Sequence, residues 1–175
     1  MNRLFWGLFF LILDVYLELG TANFELLPDF IGLFLMMRGM TELAEEGKAF
    51  DRGRHVAFGL SIFSAILYVA ELLGLESMAR VGLWAAELAA LAGHLVLIGM
   101  VVRGIRRMEK EQGRQLRGEH LKMLLMILSV LSVLSHLLTW LPLIGNICWV
   151  GELMAGLLFL GVFWNSRKRY LAETA

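Results

Sequence analysis

The sequence predicts an all-α membrane protein: one domain, a bundle of six transmembrane helices, both termini in the cytoplasm. Three observations lead there. Of the 175 residues, 58% are apolar and 18% charged, with a mean hydropathy of +0.69. Soluble domains average roughly 45–50% apolar and 25% charged, and a chain this short leaves much of its surface in water. Six apolar stretches approach the roughly 20 residues that cross a hydrocarbon core. The basic residues gather on alternate loops.

The spans are expected near 4–20, 27–44, 56–75, 82–102, 121–141 and 147–164. Backbone groups in lipid need internal partners, so such runs read as helices. They lack the alternation of barrel strands. Span one, LFWGLFFLILDVYLELG, follows Arg3 as a signal peptide would, but Asp14 ends its apolar run and no A-x-A site follows. Span two opens at Pro28-Asp29, where proline tolerates a missing donor and a carboxylate suits the positive helix end. Asp29 therefore reads as a helix start. Arg38 and Glu42 interrupt this span, and a tilted or re-entrant segment is the alternative. Four residues apart, they can form an ion pair along the helix; otherwise Arg38 reaches Asp14. Segment 103–120, RGIRRMEKEQGRQLRGEH, is the one soluble stretch of any length. It extends the flanking helices with a break near Gly113 or Gly118. It is either a basic surface for anionic headgroups or a partner, or a determinant of topology.

Orientation follows from the basic residues. Arg3, Lys48, Arg52, Arg54, seven residues from Arg103 to Lys122, and Arg167 to Arg169 account for 14 of the 16. All fall on one side, which the positive-inside rule makes cytoplasmic. An even number of crossings returns the chain there. The chain is thus expected as a multi-pass protein of the plasma membrane, with the lipid bilayer as its first partner. Zero net charge offers nothing to nucleic acid.

Ionisable groups at membrane depth are costly and face a bundle interior or a cavity. Asp14, Glu18, Glu71, Glu87 and Glu152 fall in the middle to outer parts of their spans, against Arg80 and His136. Asp14 and Glu18 share a helix face at a spacing of four; they form a cation- or proton-binding pair or a shallow interfacial one. Ser61, Ser64, Tyr68 and Glu71 make a polar stripe on span three. Ser129, Ser132, His136 and Thr139 make another on span five, with Ser135 at its edge. Glu87 and His94 lie two turns apart on one face of span four. Ala85, Ala89 and Gly93 form a small-xxx-small track on its other side, as Gly151 and Ala155 do on span six. For the serines and histidines the alternative is ordinary interhelical hydrogen bonding. Trp6, Trp84, Trp140, Trp149 and Trp164 lie near span ends, as an aromatic belt does. Cys148 has no partner cysteine.

No G-x-S-x-G, H-E-x-x-H or Walker-type loop is present, so no enzyme is expected, and no cofactor; a metal is left open. The run Leu-Pro-Asp-Phe-Ile-Gly at 27–32 resembles one found in small uncharacterised multispanning membrane proteins of Gram-positive bacteria, which implies a bacterial plasma membrane and no activity. The span layout is similar to that of S components of energy-coupling-factor transporters. That family docks its partner through small residues on span one, where this chain has only Gly7 before Gly20. Two functions are expected as alternatives. One is a transporter-like or ligand-binding protein with an outward acidic cavity for a small cation or amine-bearing solute. It would be held by Asp14, Glu18, Glu71, Glu87 and Glu152, with His94 or His136 as proton partners. The other is a non-catalytic accessory subunit that binds a membrane protein partner.

Overall fold

The computed structural model describes residues 1–13, 16–19, 22–25, 28–73, 80–138 and 141–174, without the side chains of 16–19 and 22–25 and of a few residues at helix ends. In order come α1 (Asn2–Ile12), β1 (Tyr16–Leu19), β2 (Ala22–Glu25), α2 (Asp29–Glu42), a 3-10 turn (Ala44–Glu46), α3 (Lys48–Leu72), α4 (Arg80–Gln112), α5 (Gly118–Leu137) and α6 (Pro142–Thr174). The described residues are mostly helical, with one short hairpin. Four segments are long and apolar enough to cross a membrane: Lys48–Ala70, Trp84–Gln112, Gly118–Leu137 and Leu143–Glu173. Their outward faces are apolar: Ile66, Leu143 and Leu158 are 62%, 77% and 61% exposed. Water would penalise such a surface; hydrocarbon does not.

The first expected span differs from what forms. The helix stops at Ile12, and residues 16–19 pair antiparallel with 22–25, Tyr16 opposite Glu25 and Leu19 opposite Ala22. The physical reason is local. Val15-Tyr16-Leu17-Glu18-Leu19 combines β-favouring residues with an apolar–polar alternation, a period of two rather than 3.6. At 1.5 Å per residue α1 is about 16 Å long and α2 about 21 Å, both short of the roughly 30 Å hydrocarbon thickness. The hairpin links them into one antiparallel unit. Elsewhere helices outrun the apolar stretches that announced them: α3 begins at Lys48 and α4 continues to Gln112. Helical hydrogen bonds need no lipid, so a helix continues until the backbone is broken. Here the breaks are Gly113 (φ 68°) and Arg117 (φ 56°), inside the segment where one was expected.

The α1/α2 contact depends on glycine. A Cβ on Gly39 would stand 2.6 Å from the backbone nitrogen of Leu4 and 2.9 Å from its Cα. Gly7 lies equally close to Met36 and the Gly32 carbonyl. The expected Arg38–Glu42 ion pair is not what the structure contains. Glu42 lies 3.2 Å from Arg3 Nε and 3.7 Å from the Met1 amine, because antiparallel packing brings the start of α1 beside the end of α2. Arg38 instead covers the Phe34 ring of its own helix, 5.3 Å from the centroid.

The core is concentrated at the end of the bundle that holds α1's start and α6's finish. Leu4, Met36, Phe50, Ile105, Phe159 and Phe163 are all fully buried there. Phe50 fills a notch opened by Gly104, where any Cβ would strike the ring. Segment 103–120 folds over this end. Glu46 accepts hydrogen bonds from Gln112 (2.6 Å) and the Tyr170 hydroxyl (3.1 Å). Arg114 lies between Glu46 (4.0 Å) and Glu173 (3.6 Å), and Arg169 donates to the Gln115 carbonyl. Arg106 pairs with Glu119 and Arg107 with Glu111. Much of the segment's positive charge is therefore spoken for by neighbouring carboxylates. This end is tightly packed.

Candidate functional site

Toward the opposite end the described residues line a cavity of about 450 Å³. Leu11 and Ile12 close it from α1 and Asp29 from the start of α2. The longer helices each turn a polar face inward: Ser64 and Tyr68 of α3, Glu87 and His94 of α4, Ser132, Ser135 and His136 of α5, Trp149 and Glu152 of α6. The spacings of three, four and seven within each helix put these residues on one side of it.

Three carboxylates in this cavity have defined partners. The Glu152 carboxylate accepts a hydrogen bond from the buried Ser132 hydroxyl at one oxygen, and Ser135 Oγ lies 2.8 Å from the other. Ser135 Oγ is also 3.0 Å from the Ser132 carbonyl; with one proton, it serves one acceptor at a time. Asp29 Oδ2 is 3.7 Å from His94 Nδ1, and both side chains are largely enclosed, 24% and 14% exposed. The other ring nitrogen of His94, Nε2, is buried without a hydrogen-bond partner among the described residues. Glu87 Oε2 is 4.0 Å from His136 Nε2 at a more open position, with Glu87 57% exposed. Each histidine thus faces a carboxylate, and the third acid, Glu152, is held by the Ser132 and Ser135 hydroxyls.

Of the residues singled out from sequence, Glu87, His94, His136 and Glu152 line this one cavity. Asp14 lies outside the described residues, as do the side chains of Glu18 and Glu71. Asp29, read as a helix start, does begin α2 and also borders the cavity. Its place among the acids of the outer half was the available signal. Trp149, expected as a membrane anchor, is a cavity wall as well. The polar stripes divide: Ser64, Ser132 and Ser135 face the cavity, Ser61 donates to the Phe30 carbonyl of α2, and Ser129 donates back to its own helix. On the small-residue track Gly93 lies under Leu60 of α3, whereas Ala85 and Ala89 are exposed. On α6, Gly151 approaches Leu131 and Ala155 is buried, so that device is used within the chain. Among the described residues no group of three or more His, Cys, Asp or Glu side chains is arranged to hold a metal ion.

With four helices of membrane-spanning length and apolarity, the chain has the character of a multi-pass integral membrane protein. No family model, curated protein or solved structure matches it.

Proposed function

We propose that this chain is a transporter-like or ligand-binding protein of the plasma membrane whose cavity takes a small cation or an amine-bearing solute. The observation that carries the reading is the grouping of Asp29, Glu87 and Glu152, from three helices, around one space of about 450 Å³. Carboxylates at membrane depth raise the local concentration of positive charge, and a cavity shielded from bulk water strengthens that attraction. Glu152 is the principal anchor. Its two oxygens are oriented by Ser132 and Ser135, and Trp149 and Tyr68 on the walls offer aromatic faces to an ammonium group. The His94–Asp29 and His136–Glu87 pairs are the places where protons are held and exchanged.

The positive-inside rule puts the packed end, with its basic loops, in the cytoplasm and opens the cavity outward. This holds whether the α1–hairpin–α2 unit crosses fully or enters and leaves on one side, since it contributes an even number of crossings either way.

The second reading, an accessory subunit, is favoured by Ala85 and Ala89, exposed small residues on α4 where another helix could approach closely. The two readings separate in one experiment. Melting temperature of the detergent-purified chain is measured against alkali cations, polyamines and primary amines, for the native protein and for Glu152→Gln, Glu87→Gln and Asp29→Asn. A ligand that binds only the folded state raises Tm. A rise of a few degrees that disappears in Glu152→Gln supports the cavity as a site. If no compound shifts Tm and the variants melt with the native chain, the ligand-binding reading fails and the exposed α4 track becomes the subject.

A further inference from the structure

A second polar constellation stands at the packed end, away from the cavity. Trp164 of α6 meets Phe5 of α1 edge-on at 4.8 Å between ring centroids. Arg167 covers that pair, its guanidinium carbon 4.2 Å from the Trp164 centroid and 5.7 Å from that of Phe5. Lys168 Nζ lies 5.6 Å from the same indole. The stacking encloses Arg167 Nε and Nη1 without a hydrogen-bond acceptor, leaving Nη2 as the edge that can meet a ligand. Among the described residues no carboxylate lies within ion-pair distance of Arg167 or Lys168. Arg3, on the facing side of α1, already occupies Glu42 at 3.2 Å. Arg167 and Lys168 thus share the Trp164 face without an acid of their own among the described residues.

We infer that this α1/α6 corner binds the phosphate of an anionic lipid headgroup. A half-buried guanidinium without a counter-charge is costly, and its Nη2 group can donate a charge-assisted hydrogen bond to a phosphate oxygen. Cation–π stacking fixes the orientation of the guanidinium, so little side-chain freedom is lost when the anion arrives. The lipid source follows from the surroundings. Trp6, 45% exposed, lies beside Phe5 at 5.6 Å and sits where an interfacial indole meets acyl chains. The basic residues lie at the end of a helix apolar enough to span, at the level of the headgroups. Elsewhere on this end Arg106, Arg107 and Arg114 already have carboxylate partners. The inference rests on the membrane reading but not on the cavity.

The test uses the full chain in neutral detergent with phosphatidylglycerol, phosphatidylcholine or inorganic phosphate added. Tm is measured, and native mass spectrometry counts the lipid retained. Phosphatidylglycerol is expected to raise Tm by a few degrees and to remain bound, and phosphatidylcholine to do neither. The effect should vanish in Arg167→Met, fall by at least half in Lys168→Gln, and persist in Lys122→Gln, an exposed basic residue away from the corner. If Arg167→Met does not fold, the comparison of Lys168→Gln with Lys122→Gln decides. Equal responses in those two variants, or no lipid effect at all, would overturn the site. An equal shift with inorganic phosphate would overturn the lipid assignment in favour of a soluble phosphate.

Discussion

The contact between α1 and α2 can be tested by adding one methyl group at two glycines that differ only in what surrounds them. Both Gly39 and Gly59 are helical. A Cβ on Gly39 would stand 2.6 Å from the Leu4 backbone nitrogen, whereas one on Gly59 has nothing within 4 Å. Replacing glycine by alanine inside a helix gains about 0.5–1 kcal/mol in either place, because the unfolded chain loses freedom and helix propensity rises. At Gly39 the obstacle is backbone, so no rotamer change relieves it and the two helices must separate. Separation loosens Leu4, Leu8 and Leu33, all fully buried. Overpacking of this kind costs about 1–3 kcal/mol, and the backbone obstacle puts Gly39 at the upper part of that range. The expected net effect is a loss of about 1–2 kcal/mol for Gly39→Ala and a gain of about 0.5–1 kcal/mol for Gly59→Ala. For a chain of this size 1 kcal/mol moves Tm by about 2–4 °C. The variants should therefore melt about 3–12 °C apart, on opposite sides of the native protein, in detergent at one fixed scan rate. Equal melting temperatures, or Gly39→Ala above the native value, would refute the backbone-to-backbone packing.

Two further predictions concern the packed end and the orientation. The Gln112 hydrogen bond holds the Glu46 carboxyl below its ordinary value of 4.5, assisted by Tyr170 and Arg114 and opposed by burial. A lowered folded pKa means that the stabilisation is complete above the unfolded value and is lost as pH falls from there through the folded one. Glu46→Gln should cost about 1 kcal/mol at neutral pH and flatten the fall of Tm in the acid range. A variant whose acid profile matches the native one would exclude the Glu46 clasp as a contributor. For orientation, single cysteines at Glu111 and Asn146 in a Cys148→Ser background are treated with a membrane-impermeant maleimide. Asn146→Cys should react on intact cells and Glu111→Cys only after lysis; the reverse pattern would invert the proposed topology.

The parts of the molecule that could be read from residues alone are those governed by long-range hydropathy. α3 to α6 overlap four of the six expected apolar runs because length and apolarity are summed over some twenty residues and survive local exceptions. Span one failed as a helix at its second half because five residues, Val15 to Leu19, carry a β pattern that an average over the span conceals. The expected extension of the fourth helix beyond its apolar run is present: α4 continues to Gln112, since nothing in that polar sequence stops a helix before Gly113 does. For the site, Glu87, His94, His136 and Glu152 were singled out as polar residues within spans, and they line one cavity. Their pairing was not legible. Whether His94 meets Asp29 or another acid depends on how α4 is rotated against α2, and that follows from contacts such as Leu60 on Gly93 which no single helix announces. Asp29 shows the limit most clearly: a helix-start signature explains its backbone role and says nothing about where its carboxylate goes.

A buried core at one end and a cavity toward the other give α4 the geometry of a lever. Glu87 stands about five helical turns, roughly 27 Å, from Ile105 in the buried core. Any tilt of α4 about that fulcrum of roughly 5° carries Glu87 sideways by more than 2 Å, the scale on which a carboxylate gains or loses a ligand. The fully buried Phe50, seated against Gly104, stays almost still during the same movement. Such a tilt would demand little repacking where repacking is expensive, because the pivot lies in the buried core.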